Sequence, residues 1–217
     1  MERSLLLDFD GVLINNVKMN RLIQHQATKF FSHHTKIPYD MSFKLNNKFY
    51  KHYGHTVNFV KDLVPKDVNM LDFNEYVYSP EVLSCASDEL TLYDKHKFHE
   101  WEAIINAFKS YNYDVKIFSN APLCWIDICL SNLSVSSDVF DDVICFDNVR
   151  SLKPAEQAYH DIYKNEERII FVDDTKENLY CLLNQPTWIP ILYDTEDKYQ
   201  ETLCDTINYP EMLLGYI

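Results

Sequence analysis

The stretch Leu5-Leu6-Leu7-Asp8-Phe9-Asp10-Gly11-Val12 is an apolar run that ends abruptly in two carboxylates flanking one aromatic, followed by the first of only three glycines in 217 residues. The run reads as a buried strand. Side chains alternate along a strand, so Asp8 and Asp10 share a side if the strand stays extended, and Gly11 lets the chain turn immediately afterwards. Two acids so placed can face one reacting group, one attacking phosphorus as a nucleophile while the other donates and later accepts a proton. A carboxylate and a phosphate repel each other, and a hard cation such as Mg²⁺, bound by their oxygens, offsets that repulsion. The tripeptide alone reads equally as an Asp-x-Asp turn, because Asp and Gly are common turn formers.

Four further apolar runs read as strands, at Val115 to Phe118, Val143 to Phe146, Ile169 to Val172 and Ile189 to Tyr193. Helical-length segments separate them, which is the pattern of a parallel α/β sheet. In such sheets ligands bind at the carboxyl ends of the strands. The second strand ends in Ser119-Asn120, the loop before the fourth carries Lys153-Pro154, and the fourth ends in Asp173-Asp174 followed by Asn178. A hydroxyl and a backbone N–H can hold a phosphate oxygen, an ammonium can neutralise charge, and carboxylates can complete an oxygen-ligand metal site. Singly, each has a plainer reading: Ser119 and Asn120 as a helix cap, Lys153 as surface charge, Asp173 and Asp174 as acids at a helix start. All four in order, each at a strand end or just before a helix, are far harder to produce by chance.

These segments resemble the haloacid dehalogenase-like superfamily of hydrolases. The first motif of that family, Asp-x-Asp-Gly-Val/Thr, matches Asp8 to Val12; the second matches Ser119, the third Lys153, and the fourth Asp173, Asp174 and Asn178. The resemblance implies a Rossmann-like core in which Asp8 becomes an aspartyl phosphate and Asp10 is the acid for the leaving group and then the base for water. It also implies that Asp8, the backbone carbonyl of Asp10 and Asp174 hold Mg²⁺ with support from Asp173 or Asn178, and that Ser119, Asn120 and Lys153 meet the phosphoryl group. The dehalogenases of the family lack the second aspartate, so Asp10 points to phosphate chemistry.

Residues 11–118 separate the first and second motifs, whereas only residues 120–152 separate the second and third. An insertion after the first strand fits a helical cap of the family's first type, placing the core at 1–15 and 101–217 and the cap at 16–100. Leu22, Ile23, Ala27, Phe30 and Phe31 recur at helical spacing, as do Phe43, Asn47, Tyr50 and Lys51 on a more polar face. The aromatic positions read as cap core, and His25, His33 and His34 as ordinary surface or packing residues. The segment Phe49 to Val57, with its Tyr53-Gly54 pair, is similar to the cap of pyrimidine 5′-nucleotidases of this superfamily, and Asp173-Asp174 in place of Gly-Asp suits that subgroup. That likeness implies Tyr53, His55 and Thr56 near the substrate, and a nucleoside 5′-monophosphate as that substrate. The same core would serve a sugar-phosphate or phosphoglycolate phosphatase, a phosphomutase, a phosphatase of nucleic-acid ends, or a non-catalytic binding protein that retains the fold.

A net charge of −13 argues against general nucleic-acid affinity, but the charge is uneven. From Val17 to Lys66 nine Lys or Arg stand against Asp40 and Asp62, a balance of +7, so the remainder carries −20. That segment can attract an anionic small metabolite or can be a set of solvated helix faces. The six cysteines form no CxxC pair and lie mostly in apolar runs, so reduced, buried thiols are expected rather than zinc or disulfides. No stretch approaches the roughly 18 to 20 apolar residues of a membrane span, and seven residues before Asp8 leave no room for a signal peptide. A soluble, cytoplasmic protein is the expectation.

Overall fold

Leu5, Leu6 and Leu7 are each fully buried, as a strand covered on both faces requires, and they form the end of a strand at the middle of a parallel sheet. The computed structural model describes residues 2–53, 55–63, 68–90, 92–160, 162 and 166–217. Its strands are β1 (Glu2–Leu7), β2 (Asp114–Phe118), β3 (Asp142–Ile144), β4 (Glu166–Asp173), β5 (Trp188–Tyr193) and β6 (Asp205–Ile207). They pair in the order β3-β2-β1-β4-β5-β6, every pair parallel. The chain therefore builds outward from β1 to β3, then returns to lay β4 against the other side of β1. Leu7 lies opposite Ile117 of β2 and Val172 of β4. The strand order reverses between β1 and β4, and the crevice beyond their carboxyl ends is where an open α/β sheet takes its ligand.

The chain divides into two compact units, Met1–Asn15 with Leu90–Ile217, and Asn16–Glu89. The first holds the sheet with helices α6 (Leu92–Ser110), α7 (Leu123–Leu133), α8 (Glu156–His160) and α9 (Lys176–Tyr180). The second holds α1 (Val17–Thr35), α2 (Tyr39–Tyr53), α3 (Thr56–Leu63), α4 (Met70–Val77) and α5 (Pro80–Glu89). The second boundary thus falls at 89/90 and not at 100/101. α6 runs unbroken across the expected cut, with Phe98, Trp101, Ile104, Ile105 and Phe108 buried at helical spacing and Phe98 meeting the Phe140 ring, so its whole length serves the sheet unit.

In the helical unit Ala27, Phe30 and Phe31 of α1 form one cluster with Val57, Phe59 and Val60 of α3 and Phe73 and Val77 of α4. The aromatic positions read as core at Phe30 and Phe31 are core, whereas Phe43 and Tyr50 of α2 are exposed. Asn16 opens α1 by accepting from the N–H groups of Lys18 and Met19, and Lys36 closes it in the left-handed conformation. The thiols depart from expectation. All six are free and Cys129 and Cys145 are buried, but Cys85, Cys124 and Cys181 are exposed, because helix faces and helix ends turn them outward. No helix among the described residues is long and apolar enough to cross a membrane.

Candidate active site

β1 stops at Leu7, so Asp8 and Asp10 do not lie on one extended strand. Phe9 to Ile14 form a tight turn in which Ile14 N–H donates to the Phe9 carbonyl at 2.9 Å and Gly11 N–H to the Ile14 carbonyl at 2.7 Å. Asp8 remains anchored to the sheet, its N–H donating to Val172 of β4 at 2.9 Å. Gly11, at φ +92°, does more than turn the chain: a Cβ on it would sit 2.4 Å from Cγ and Oδ2 of Asp174. The glycine leaves the room that the Asp174 carboxylate occupies.

Lys153 is the centre of the charge arrangement and only 1% exposed. Its ammonium contacts Asp8 Oδ1 at 3.0 Å and donates to Asp173 Oδ2 at 2.7 Å and the Phe118 carbonyl at 2.8 Å, which uses all three of its N–H groups. The Phe118 and Phe171 rings each lie 5.1 Å from Nζ and add cation–π attraction. Burial opposes the ammonium charge, but Asp173 and Asp8 outweigh it and hold the Lys153 pKa above its ordinary value. The backbone is fixed as firmly. Asn120 Oδ1 accepts from Lys153 N–H and Asn120 Nδ2 donates to the Lys153 carbonyl, both at 2.9 Å. Asn120, expected at the substrate, thus clamps the lysine. Ser119 is 2% exposed, and its Oγ accepts from Ala121 N–H at 3.1 Å.

Asp173 is fully buried and accepts from Lys153, from Thr175 N–H at 2.8 Å and from Asn178 Nδ2 at 3.1 and 3.0 Å. Its carboxylate is thus engaged with the lysine and with its own loop. One oxygen each of Asp8, Asp173 and Asp174 lie within 4.8 Å of one another. Burial, only partly offset by Lys153 and reinforced by Asp173, Asp174 and Asp10, pushes the Asp8 carboxyl well above the usual carboxylate range. Burial, then Asp173, pushes Asp174 up to about 7. Three carboxylates around one ammonium leave uncompensated negative charge, and the donors are hard oxygens, so the residues fit Mg²⁺. Asn178 Oδ1 is buried without a hydrogen-bond partner, an acceptor that a water carried by a hydrated cation would satisfy.

Asp10 is not one of that carboxylate group. Its Oδ1 accepts from the indole N–H of Trp125 on α7 at 3.0 Å, and burial raises its pKa to about 6. The sequence reading missed Trp125, because an indole in an apolar helix is indistinguishable from core until the fold brings it to Asp10, 115 residues away. In the helical unit, Thr56 is fully buried and donates to Asn46 Oδ1 at 2.9 Å. His55 is 5% exposed, accepts from Val57 N–H at 3.2 Å and packs on the Phe73 ring, while burial pushes its pKa down to about 3. Both side chains are engaged in the interior of that unit, whereas Tyr53 is half-buried against Phe49 and Phe59. Gly54 and Lys66 lie outside the described residues.

A scan of the sequence against protein-family models finds no match, and a search of characterised proteins finds none. Solved structures do match over the whole chain. A HAD phosphatase from Thermococcus onnurineus is 16% identical with a TM-score of 0.62, covering 99% of this chain and 97% of its own. The HAD-hydrolase YfnB from Bacillus subtilis, bound to magnesium, is 15% identical with a TM-score of 0.53, covering 99% and 98%. The L-2-haloacid dehalogenase from Xanthobacter autotrophicus is 10% identical with a TM-score of 0.51, covering 100% of both chains. The six-stranded parallel sheet with its flanking helices is therefore the Rossmann-like α/β fold of the haloacid dehalogenase-like hydrolases.

Proposed function

We propose that this chain is a Mg²⁺-dependent phosphomonoesterase that forms an aspartyl phosphate on Asp8 and acts on a small phosphorylated metabolite, with a nucleoside 5′-monophosphate as the favoured class. The observation that carries the reading is the division of labour between two carboxylates two residues apart. Asp8 is tied to Lys153 and grouped with Asp173 and Asp174, whereas Asp10 is turned to an indole donor. One carboxylate is held as a nucleophile within a charged cluster, and the other is held apart for proton transfer.

Lys153 fixes Asp8 Oδ1, leaving the other carboxylate oxygen for in-line attack on phosphorus. Asp10 gives a proton to the departing alcohol, then takes one from the water that cleaves the acyl phosphate. Ser119 and the N–H groups of the loop after β2 would receive the phosphoryl oxygens. Mg²⁺ would be held by Asp8, Asp174 and the Asp10 carbonyl, and when bound it supplies charge neutralisation between nucleophile and phosphate. The Thermococcus neighbour described as a phosphatase and the magnesium-bound YfnB support this reading over a dehalogenase one, as does the presence of Asp10.

A panel of nucleotides, sugar phosphates and phosphoglycolate, assayed with Mg²⁺ and with EDTA, tests it. Turnover is expected with Mg²⁺ alone and not in Asp8→Asn, whose circular dichroism matches the parent. Metal-dependent phosphate release at the parent rate by Asp8→Asn would refute the assignment.

A further inference from the structure

Asp10 is the residue whose proton the proposed reaction uses twice, and its carboxyl has a fixed neighbour in the wall behind it. The Trp125 indole is 1% exposed, on the same face of α7 as the buried Ile126 and Cys129, so packing sets the direction of its N–H. That N–H meets Asp10 Oδ1 at 3.0 Å. An indole nitrogen donates and never accepts, and a carbonyl-type oxygen accepts better than a hydroxyl oxygen. When the Asp10 carboxyl carries its proton, the bond from Trp125 therefore directs that proton to Oδ2.

We infer that Trp125 is the positioning residue of the acid/base pair chemistry: it fixes the plane of the Asp10 carboxyl and assigns Oδ2 as the oxygen that delivers and recovers the proton. The inference rests on the phosphomonoesterase reading. In the first step the bond between Asp8 and phosphorus forms, the phosphorus–alcohol bond breaks, and the Oδ2 proton passes to the alcohol oxygen. In the second step a water oxygen bonds to phosphorus, one of its protons returns to Oδ2, and the Asp8–phosphorus bond breaks to restore the carboxylate. Proton transfer of this kind contributes about 10²- to 10⁴-fold, and positioning is worth part of it.

The test compares kcat/KM for an alkyl phosphate, whose alkoxide must be protonated, with p-nitrophenyl phosphate, whose phenolate leaves without a proton. The ratio reports steps up to phosphoenzyme formation, so the later base role of Asp10 does not enter. Trp125→Phe keeps the ring and removes the donor. It is expected to lose about 10- to 100-fold on the alkyl ester, in kcat more than in KM, and less than about threefold on p-nitrophenyl phosphate. In an Asp10→Asn background the same substitution is expected to add no further selective loss. Cys129→Ala, one turn along α7, should leave the ratio between the two esters at its parent value. Equal losses on both esters, or an undiminished selective loss without Asp10, would overturn the inference. Should Trp125→Phe melt early, replacing the tryptophans with benzothienylalanine, which exchanges N–H for sulfur at the same shape, reads the same ratio in a folded protein. A parent protein that hydrolyses neither ester in Mg²⁺ would instead refute the phosphomonoesterase reading and, with it, the role of Trp125.

Discussion

Replacing Gly11 with alanine tests how tightly the β1 turn and the β4 carboxylates are fitted together. Two costs can be worked from the structure. At φ +92° a side-chain-bearing residue is strained by about 1 to 3 kcal/mol. The new Cβ would stand 2.4 Å from Asp174 Cγ and Oδ2, whereas ordinary contacts begin at 3.4 Å, so the carboxylate or the turn must retreat by about 1 Å. Misplacement on that scale costs on the order of 10²-fold in rate. Gly11→Ala should therefore lower kcat/KM about 100-fold at saturating Mg²⁺, raise the Mg²⁺ concentration for half-maximal activity, and lower Tm by about 2 to 4 °C for each kcal/mol of strain. Gly215→Ala is the matched control, because nothing lies within 4 Å of a Cβ there and no positive φ is involved. Steady-state kinetics across a Mg²⁺ titration and a melting curve read both parts. A Gly11→Ala enzyme within threefold of the parent, with the same Mg²⁺ midpoint, would show that the position of Asp174 does not govern the site.

Three further outcomes follow from the same geometry. Lys153→Met leaves Asp8 and Asp173 buried without their shared cation and should lower unfolding free energy by about 3 to 5 kcal/mol in urea; a loss under about 1 kcal/mol would contradict the triple tether. Burial holds Asp10 at about 6 and Asp174 at about 7, above their ordinary 3.8, so the folded metal-free protein binds more protons than the unfolded chain between those values. The contribution of these groups is greatest below the unfolded value and is lost as pH rises through 6 to 7. The metal-free urea midpoint should thus be lower at pH 7.5 than at pH 5 and recover with Mg²⁺, and a Mg²⁺-independent midpoint would argue against the cation site. Finally, Lys44→Glu with Lys48→Glu on the exposed face of α2 should reduce kcat/KM several-fold at low salt, with the difference vanishing near 0.5 M salt; equal activity at low salt would dismiss electrostatic attraction of the substrate.

The parts of this fold that were legible in the sequence are those in which an apolar run ends in a polar side chain. Leu5 to Asp8, Val115 to Ser119 and Ile169 to Asp173 each announce both a buried strand and a polar mouth, and the structure orders them side by side. β6 was not legible, since Asp205-Thr206-Ile207 is too short to show a period. The third strand ends sooner than its apolar run. Asn148 Oδ1 accepts from Cys145 N–H and Asn148 Nδ2 donates to the Val143 carbonyl, so a side chain takes over groups that a longer strand would have paired. The core site residues seen in advance, among them the uncharged Ser119, Asn120 and Asn178, were those standing at or shortly after the end of an apolar run or just before a helix. What was missed acts through geometry: the Asn120 amide, expected at the substrate, clamps Lys153, the Trp125 indole aims at Asp10, and the absence of a Cβ at Gly11, read only as a turn, admits Asp174. None of these pairings leaves a periodic or compositional trace.

The place of β1 in the sheet has a consequence for how the protein is made. Its two partners begin only at Asp114 and Glu166, so the strand that leads into Asp8 is synthesised before them and paired late. Until then three leucines destined for complete burial have no sheet to join, while the intervening residues 16–89 form a unit with a core of its own. Closing contacts over such separations is entropically slow, and unpaired apolar strands are where nascent chains aggregate. Asp8 thus waits on the strand that brings Asp173 and Asp174, and a chain interrupted before β4 carries Asp8 without the two carboxylates that stand beside it in the complete fold.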